Sequence, residues 1–438
     1  MEIKLPENVE KIINTLEAKG YEAYAVGGCI RDSILKRSPN DWDVTTSALP
    51  GEIKEAFKKT FDTGIKHGTV SVLLGGEIFE VTTFRIDGEY EDSRHPKEVT
   101  FTASLTEDLL RRDFTINAMA YNPKTGLVDP YGGYQDIEKK VIRCVGKAYD
   151  RFSEDALRIL RALRFAAQLD YSIDDETQAA IKALSHRLKN ISAERIQAEL
   201  IKILLSPNPE ILRDAYKLGV TGVFLPEFDR LMETKQNNPH HLYTVGEHTL
   251  RVVKGVREDK SLRLAALLHD IGKPDCKTTG EDGIDHFYGH DLAGEKISRN
   301  ILRRLKMDNE TTGRVCALVK NHDRNLGESK KSVRRTLNRV GEEYFPDLFE
   351  LHEADISAQS SYKREEKMAN LNRARMFYEE ILKNGECVSL KNLAVTGKDL
   401  IEMGISPGPG IGEILKRLLE IVLEDPSKNT KEELKKLV

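Results

Sequence analysis

VGGCIRD, residues 26–32, and DWDVTT, residues 41–46, decide the fold of the N-terminal part of this sequence. A short apolar stretch with the pattern of a strand runs into Gly27-Gly28, and the pattern of a helix begins directly after them. Two glycines let a backbone approach a ligand closely, and the N-terminus of a helix attracts phosphate. We therefore predict a strand–turn–helix unit that can hold a phosphate group, although most such glycine turns are only turns.

The DWD triplet carries two carboxylates, Asp41 and Asp43, on either side of Trp42. If the triplet lies in a strand, alternate side chains share one face, and both carboxylates point the same way. Two like charges at close range are unfavourable unless they share cations, and oxygen ligands of this kind suit Mg²⁺. A solvated loop is the alternative for an isolated triplet; the glycine turn upstream favours a magnesium site.

The sequence on either side predicts an α+β fold: an α/β head with a small mixed sheet, followed by helices only. Residues 8–19 have the pattern of a helix that ends at Gly20, and two of the predicted strands are joined by Gly75-Gly76, a hairpin signal. From about Phe152 onward the periodicity is helical. The predicted strands are 21–26, 42–46, 69–74 and 78–84. The predicted regions are a catalytic head at 1–145, a neck at 146–205, a body at 206–362 and a tail at 363–438.

Composition excludes several classes of protein. The chain has 438 residues, of which 39% are hydrophobic and 32% charged, with a net charge of -4. No stretch approaches about 18 consecutive apolar residues, and the first residues lack the pattern of a signal peptide. Five scattered cysteines without CxxC spacing indicate a reducing compartment rather than disulfides or zinc fingers. We expect a cytoplasmic protein without membrane contacts.

A basic run lies within residues 299–339, where twelve Lys and Arg residues stand against four acidic residues. Such a run is either a solvated helix face or a surface that binds phosphates. The second interpretation predicts that Arg334 and Arg335 contact RNA phosphates.

Four motifs occur in a fixed order: GGCIRD, DWDVTT, LLRRDFTINAMAYN at 109–122 and EDALRILRALRF at 154–165. Their order resembles the class II tRNA nucleotidyltransferases and bacterial poly(A) polymerases of the polymerase β superfamily, without a break over residues 21–205. The resemblance implies that the glycine motif holds a nucleoside triphosphate and that the DxD pair binds catalytic magnesium ions. These roles fall on Gly27, Gly28, Arg31, Asp32, Asp41 and Asp43.

The RRD motif, Arg111, Arg112 and Asp113, is implied by the same resemblance to contact the ribose and phosphates of the nucleotide. Arginine forms bidentate contacts with phosphate, whereas an ion pair within a helix is the alternative. Asn117 follows Asp113 by four residues, so we expect it one helical turn further on the same face. Glu80, on a predicted strand, is either a third carboxylate or a structural acid.

In the EDALR motif, the spacing of Asp155 and Arg158 predicts one helix face. A surface salt bridge is the alternative, but the resemblance implies that the pair reads the incoming base. The carboxylate accepts from the amino group of cytosine or adenine and the guanidinium donates to the ring nitrogen, whereas guanine and uracil present the inverse pattern. Glu154 is expected to orient Arg158. Further predicted substrate contacts are Arg161 and Arg164, and Glu194 and Arg195 are expected to brace the neck.

The resemblance therefore implies addition of CCA to the 3′ end of tRNA from CTP and ATP, with no obligate protein partner. The polar stretch at 84–101 resembles the mobile loop that relatives adding only CC lack, and GIKHGTVSV stands where poly(A) polymerases carry a basic-aromatic signature. Three alternatives stay open: an enzyme that adds only A beside a CC-adding partner, a phosphohydrolase that binds RNA, and a non-catalytic tRNA-binding factor.

LLHDIGK, residues 267–273, resembles the HD phosphohydrolase superfamily, in which two histidines and two aspartates bind a divalent metal. The matching residues are His248, His269, Asp270 and Asp355, and such ligands suit Mg²⁺, Mn²⁺, Ni²⁺ or Fe²⁺. In the tail, which is expected to bind tRNA, the glycine turn at 404–412 either holds a phosphate or only packs a helix.

Overall fold

The structure, a computed structural model, describes residues 2–88 and 99–438. The chain divides into two compact units, Met1–Pro226 and Glu227–Val438. The first unit holds the mixed sheet and a set of helices, and the second is almost entirely helical. The predicted α+β class is confirmed. The predicted region boundaries near 145, 205 and 362 stay predictions.

A seven-stranded sheet forms the core of the head. Its strands stand in the order β3-β4-β5-β2-β1-β8-β9, with β2 and β5 parallel and the other neighbours antiparallel. The strands of the first unit are β1 (Ala23–Val26), β2 (Asp43–Thr46), β3 (Thr60–Gly64), β4 (Thr69–Leu74), β5 (Glu77–Thr83), β6 (Arg85–Asp87), β7 (Val99–Phe101), β8 (Ala120–Asn122), β9 (Gly126–Val128), β10 (Val141–Ile142) and β11 (Ser172–Ile173).

The β4–β5 hairpin follows from its two glycines. Gly75 and Gly76 have φ of 62° and 87°, which a residue with a Cβ atom adopts only at a cost, and the pairing closes at Leu74 and Glu77. Val44 pairs with Val81 where β2 joins the hairpin, and this register brings the start of β2 beside the middle of β5. The predicted hairpin is confirmed.

Helices pack beside the sheet and make up the rest of the first unit. The predicted N-terminal helix buries Val9, Ile12, Ile13 and Leu16 beside the sheet. The helices of this part are α1 (Glu7–Ala18), α2 (Gly28–Ile34), α3 (Pro50–Ala56), α4 (Leu105–Leu110), α5 (Gly133–Lys139), α6 (Ala148–Glu154), α7 (Leu157–Leu169), α8 (Asp175–Leu184), α9 (Ala193–Leu204), α10 (Leu212–Lys217), α11 (Thr221–Phe224) and α12 (Pro226–Glu233), which begins at the last residue of the unit.

The second unit packs helices around two short strands, β12 (Thr278–Thr279) and β13 (Asp285–His286). Within the described residues no helix is both long and apolar enough to cross a membrane. The helices of the second unit are α13 (Val245–Gly255), α14 (Lys260–Leu268), α15 (Lys273–Cys276), α16 (His290–Arg304), α17 (Asn309–Asn321), α18 (Lys330–Val340), α19 (Phe345–Ala358), α20 (Arg364–Lys383), α21 (Gly397–Glu402), α22 (Pro409–Glu424) and α23 (Lys431–Lys435).

Candidate active site

The glycine turn and the two carboxylates meet because β1 and β2 pair antiparallel. Val26, the last residue of β1, lies opposite Asp43, the first residue of β2. Gly27 follows with φ of 86°, and a Cβ atom there would come within 2.9 Å of the Arg112 guanidinium. The backbone conformation therefore favours glycine at position 27, and a Cβ atom there would also have to displace the end of the Arg112 side chain.

A cavity of about 630 Å³ opens at this turn. Its wall carries eight basic and five acidic side chains, so it suits a ligand with several negative charges. The head and neck residues predicted to bind substrate or metal line it, except Glu154 and the candidate carboxylate Glu80, and the roles of these residues stay predictions. They are Gly27, Gly28, Arg31, Asp32, Asp41, Asp43, Arg111, Arg112, Asp113, Asn117, Asp155, Arg158, Arg161 and Arg164.

A chain of hydrogen bonds fixes one wall of this cavity. Arg31 donates to Asp32 at 2.9 Å and to Asn117 at 2.7 Å. The Asn117 amide donates in turn to Asp113 at 3.1 Å, and Asp113 also accepts from Arg161 at 2.7 Å. Burial alone would raise the pKa of Asp113, but Arg161 and Asn117 outweigh it and lower this pKa to about 2. The carboxylate thus stays ionised and holds its neighbours in place.

The RRD motif is not helical, which corrects one expectation. Helix α4 ends at Leu110, and Asn117 closes a separate 3-10 turn, so the contact between Asp113 and Asn117 comes from a folded-back loop. Arg111 and Arg112 pair with the fully buried Asp108, at 2.8 and 3.6 Å. The ion pair and the cavity wall are therefore not alternatives, because the same arginines take part in both.

Asp41 and Asp43 do not both lie in a strand, contrary to prediction. Strand β2 begins at Asp43, and Asp41 precedes it. Both nevertheless line a second cavity of about 820 Å³, and Glu80 of β5 lines it too. Exclusion of water raises the pKa of Asp43, Glu80 and Asp41 raise it further, and Arg112 opposes the rise. Three carboxylates thus converge at the rim of the glycine turn.

The EDALR motif is also not one helix. Helix α6 ends at Glu154 and α7 begins at Leu157, so Asp155 lies in the break between them. There its carboxylate accepts from the Leu157 amide at 2.9 Å, as a capping residue does, and from Arg195 at 2.7 Å. Arg158 donates to Glu154 at 2.6 Å, which is the contact expected of Glu154.

Phe165 is a wall residue that the sequence analysis missed. Three guanidiniums lie over its ring, those of Arg31, Arg161 and Arg164, at 5.0, 5.6 and 4.2 Å from the ring centre. The EDALR helix pattern marked Phe165 only as the end of a motif, so no local signal separated it from the core. Further wall residues that were missed are Cys29, Asn40, Leu157, Gln168 and Lys202, while Arg195 had been assigned to bracing.

Cys29 does not offer a nucleophile to this cavity. Burial raises the pKa of its thiol to about 12, and Asp43 adds to the rise. All five cysteines are unpaired.

The polar stretch at 84–101 is described only at its ends. Strands β6 and β7 pair antiparallel there, with Arg85 opposite Phe101. The predicted loop between them falls on residues 89–98, which lie outside the described residues.

In the second unit, the four residues of the predicted HD site come together. His248 Nε2 lies 2.8 Å from Asp355 Oδ1 and 3.9 Å from Asp270 Oδ2, and His269 Nε2 lies 3.3 Å from the same Asp270 oxygen. Burial would raise the pKa of Asp270, but His269 and Lys273 hold it well below its usual range. Two histidines that were not assigned as ligands, His290 and His322, lie on the other side of Asp270.

The basic run at 299–339 contradicts the expectation for Arg334. Its guanidinium is buried, donates to the Leu423 carbonyl at 2.9 Å and pairs with Glu386 at 2.7 Å, so it holds α18 against α22. Arg335 pairs with Glu424 at the same seam. Arg303 and Arg339 are exposed members of the run.

The mixed sheet places a glycine turn opposite two carboxylates, and the adjoining helices line a cavity that suits an anionic ligand. Together these features define a nucleotidyltransferase. Three family models match the chain. "Poly A polymerase head domain" matches residues 23–143, "Probable RNA and SrmB- binding site of polymerase A" matches 170–232, and "tRNA nucleotidyltransferase domain 2 putative" matches 290–438.

Relatives that match almost the whole chain identify the family within the nucleotidyltransferases. A CCA-adding enzyme of Lactobacillus delbrueckii is 35% identical over 96% of this chain and 94% of its own, and one of Anoxybacillus flavithermus is 35% identical over 97% and 94%. The Bacillus stearothermophilus CCA-adding enzyme, solved in complex with CTP, is 30% identical with a TM-score of 0.71 over 97% of this chain and 94% of that one. The chain belongs to the family of CCA-adding enzymes.

Proposed function

We propose that this chain adds CCA to the 3′ end of tRNA from CTP and ATP. The observation that carries the proposal is the single cavity in which the DxD carboxylates and the Asp155–Arg158 pair both take part. Relatives named CCA-adding enzymes, one of them solved with CTP, support it. In the reaction the tRNA 3′-hydroxyl loses its proton to solvent and its oxygen bonds to the α-phosphorus. The bond from the α-phosphorus to the oxygen that bridges to the β-phosphorus breaks, and pyrophosphate leaves with that oxygen.

Divalent cations fit the rim of the cavity. Asp41, Asp43 and Glu80 line one space and offer oxygen atoms only, and the pKa of Asp43 is raised by burial and by the negative charges of Glu80 and Asp41. Asp41 and Asp43 would hold Mg²⁺, and Glu80 is a candidate third carboxylate. Two magnesium ions, when bound, stabilise the attacking and leaving oxygens of such a displacement.

The side chains of the chain itself hold the nucleotide. Arg111, Arg112 and Arg161 supply positive charge along the wall for the triphosphate. Asp155 accepts from the exocyclic amino group of cytosine or adenine, and Arg158 donates to N3 or N1. Arg195 and Glu154 restrain these two side chains, and so act as positioning residues for base recognition.

The test supplies purified protein, Mg²⁺ and tRNAs that end before each residue of the CCA triplet, with one nucleotide at a time. We expect C, C and A to be added in turn and neither G nor U. Addition of A alone would support the A-adding alternative, and binding of tRNA without any addition would support a non-catalytic role.

We further propose that the second unit contains an HD-type site for a divalent cation, held by His248, His269, Asp270 and Asp355. His269 favours a metal because its Nδ1 meets the Ala266 carbonyl at 2.8 Å, while its buried Nε2 has no hydrogen-bond partner among the described residues. Imidazole and carboxylate ligands suit Mg²⁺, Mn²⁺, Ni²⁺ or Fe²⁺. The associated activity would be metal-dependent hydrolysis of phosphate esters, tested with 2′,3′-cyclic and 2′-phosphates in the presence and absence of a chelator.

A further inference from the structure

Two large apolar side chains of the head sheet are strongly exposed. Phe61 of β3 is 49% exposed and Ile78 of β5 is 64% exposed. Single exposed apolar residues are common on protein surfaces and by themselves indicate no function. The meaning of these two depends on the face of the sheet that they share.

Strand pairing places Phe61 in one row with Glu80. On β4, Ser71 lies opposite Phe61 on one side and opposite Glu80 on the other. Residues directly opposite each other in antiparallel strands point to the same face of the sheet. Ile78 precedes Glu80 by two residues on β5, so it shares that face. One face therefore carries Phe61, Ile78 and Glu80 together.

The same row reaches the DxD carboxylates. The register of β2 on β5 sets Asp43 beside Glu80, one step before the pair of Val44 and Val81. Neighbouring strands lie about 4.8 Å apart, so Phe61, three strands away in the sheet order, is roughly 14 Å from Asp43. Stacked nucleotides of a single strand, at about 3.4 Å each, cover this distance in about four steps. The row thus has the length of a short single-stranded RNA end.

The opposite face of these strands belongs to the core. Val70 and Val72 of β4 and Val81 of β5 alternate with the row and are fully buried. The helices α1 and α3 contact the sheet and contribute buried side chains of their own. The face of Phe61 and Ile78 is therefore the side from which an RNA strand can approach the carboxylates.

The cavity at the end of this row differs in charge from the cavity at the glycine turn. Asp41, Asp43, Glu80 and Ile78 line its volume of about 820 Å³, and none of its lining residues within the described part of the chain is basic. The cavity at the glycine turn carries eight basic side chains and shares Asp41 and Asp43 with it. The basic cavity suits a triphosphate, whereas the other suits the uncharged nucleoside end of an RNA strand.

A cation stands beside the aromatic ring on the same face. Lys59 is exposed, and its carbonyl oxygen accepts from the Leu73 amide at 3.0 Å, which continues the pairing of β3 with β4 by one residue. Lys59 precedes Phe61 by two residues and so shares its face. Proteins bind single-stranded nucleic acids through such neighbours, because a base stacks on the ring while the cation contacts the backbone.

We propose that this open face, defined by Lys59, Phe61 and Ile78, binds the unpaired 3′ end of tRNA and positions its hydroxyl at the carboxylates. The inference rests on the proposed addition of CCA and names the surface that holds the tRNA end. Ile78 packs against the terminal nucleoside, Phe61 stacks on a base further from the 3′ end, and Lys59 contacts a backbone phosphate. Continuity with Asp43 selects this occupant, because the attacking hydroxyl must reach the carboxylates from a side that the triphosphate does not fill.

The experiment measures kcat and KM of full-length variants on a tRNA that ends in CC, first with varied tRNA and then with varied ATP. Phe61→Ala should raise the KM for tRNA by about five- to a hundredfold, the range for loss of one stacked base, and Ile78→Ala should raise it less. The KM for ATP and kcat should stay within about twofold. Phe61→Trp should restore the low KM for tRNA, because an indole ring also stacks on a base.

Fluorescence locates the contact along the RNA. The base analogue 2-aminopurine is placed in turn at each of the last positions of the tRNA, and its emission falls where it stacks on an aromatic ring. We expect the unsubstituted chain to quench one position upstream of the 3′ terminus. Phe61→Ala should leave that position bright.

Leu49→Ala is the matched control, because Leu49 is 45% exposed but stands at the start of α3, outside the open face. Circular dichroism checks folding, and Ile78→Ala carries the test if Phe61→Ala does not fold. An unchanged KM for tRNA in the folded variants would overturn the open face while the addition of CCA stands. The same holds for an equal rise in the KM for tRNA and for ATP, or for loss of a dimer in light scattering without a change in the KM for tRNA. A chain without substitutions that adds no nucleotide would overturn the proposed function and this inference with it.

Discussion

The cavity of the first unit and the histidine cluster of the second unit handle charge in opposite ways. The cavity is an open space of about 630 Å³ whose charged side chains bond to one another, as Arg161 and Asp113 do. The cluster is nearly closed to water, and its histidine nitrogens face one another and Asp270 at short distances. An open wall of paired charges is suited to a large substrate that arrives with its own charge, whereas a closed cluster is suited to a bare cation.

The largest expected effect comes from substitutions in the head, which should stop nucleotide addition without acting on the histidine cluster. Asp43→Ala and Asp41→Ala should each lower nucleotide addition by about a thousandfold or more, because we propose that these carboxylates hold the ions that stabilise the reacting oxygens. The affinity for tRNA should stay nearly constant, as measured by filter binding. Asp62→Ala is a matched control, since this aspartate of the same sheet pairs with Lys54 on the surface. A loss of tRNA affinity equal to the loss of addition would contradict the assignment.

Substitutions in the histidine cluster test the independence of the two sites from the other direction. His269→Ala and Asp270→Ala should lower any metal-dependent phosphoester hydrolysis by about a hundredfold, because each removes a proposed ligand of the cation. Addition of CCA, measured on the same preparations, should stay within about twofold. If addition stops in a variant that circular dichroism shows to be folded, the two sites are not independent.

Sequence spacing anticipated the proximity of Asp41 and Asp43 but not that of His290 and His322, for a physical reason. Asp41 and Asp43 are two residues apart, and the pairing of β1 with β2 alone brings them to the glycine turn. His290 and His322 belong to the ends of two helices, and they meet only because α16 and α17 pack together. A histidine pattern in sequence does not specify that packing.

Two other errors, one in the neck and one in the second unit, have a related cause. Spacing predicted that Asp155 and Arg158 act together, but it gave one continuous helix where the chain breaks. Asp155 interrupts the helix because its carboxylate accepts from the Leu157 amide, a local bond that competes with helical hydrogen bonding. Arg334 was taken for a surface residue because its partners, Glu386 and the carbonyl of Leu423, are distant in sequence.

A smaller effect tests whether the open cavity reads the base. Arg158→Ala should remove the donor to cytosine N3 and adenine N1, and Asp155→Ala the acceptor for the amino group. Each should relax discrimination against UTP and GTP by about 1–3 kcal/mol, the scale of one lost specific pair. The measurement is kcat/KM for the four nucleotides on shortened tRNA. Arg143→Ala, which removes an arginine that pairs with Asp174, is the control. An equal loss of kcat/KM for all four nucleotides would show that Asp155 and Arg158 have a structural role and do not recognise the base.

The smallest expected effect concerns the basic run of the second unit, where buried and exposed arginines have different roles. Arg303 and Arg339 are exposed, whereas Arg335 is neutralised by Glu424. We expect Arg303→Ala and Arg339→Ala each to reduce the slope of log affinity for tRNA against log salt concentration by roughly one, because each lost phosphate contact releases about one counterion fewer. Arg335→Ala should change the slope less, since its charge is already paired. The assay is tRNA binding at a series of salt concentrations. Unchanged slopes for Arg303→Ala and Arg339→Ala would mean that this basic run is only a solvated helix surface, and that other surfaces bind tRNA.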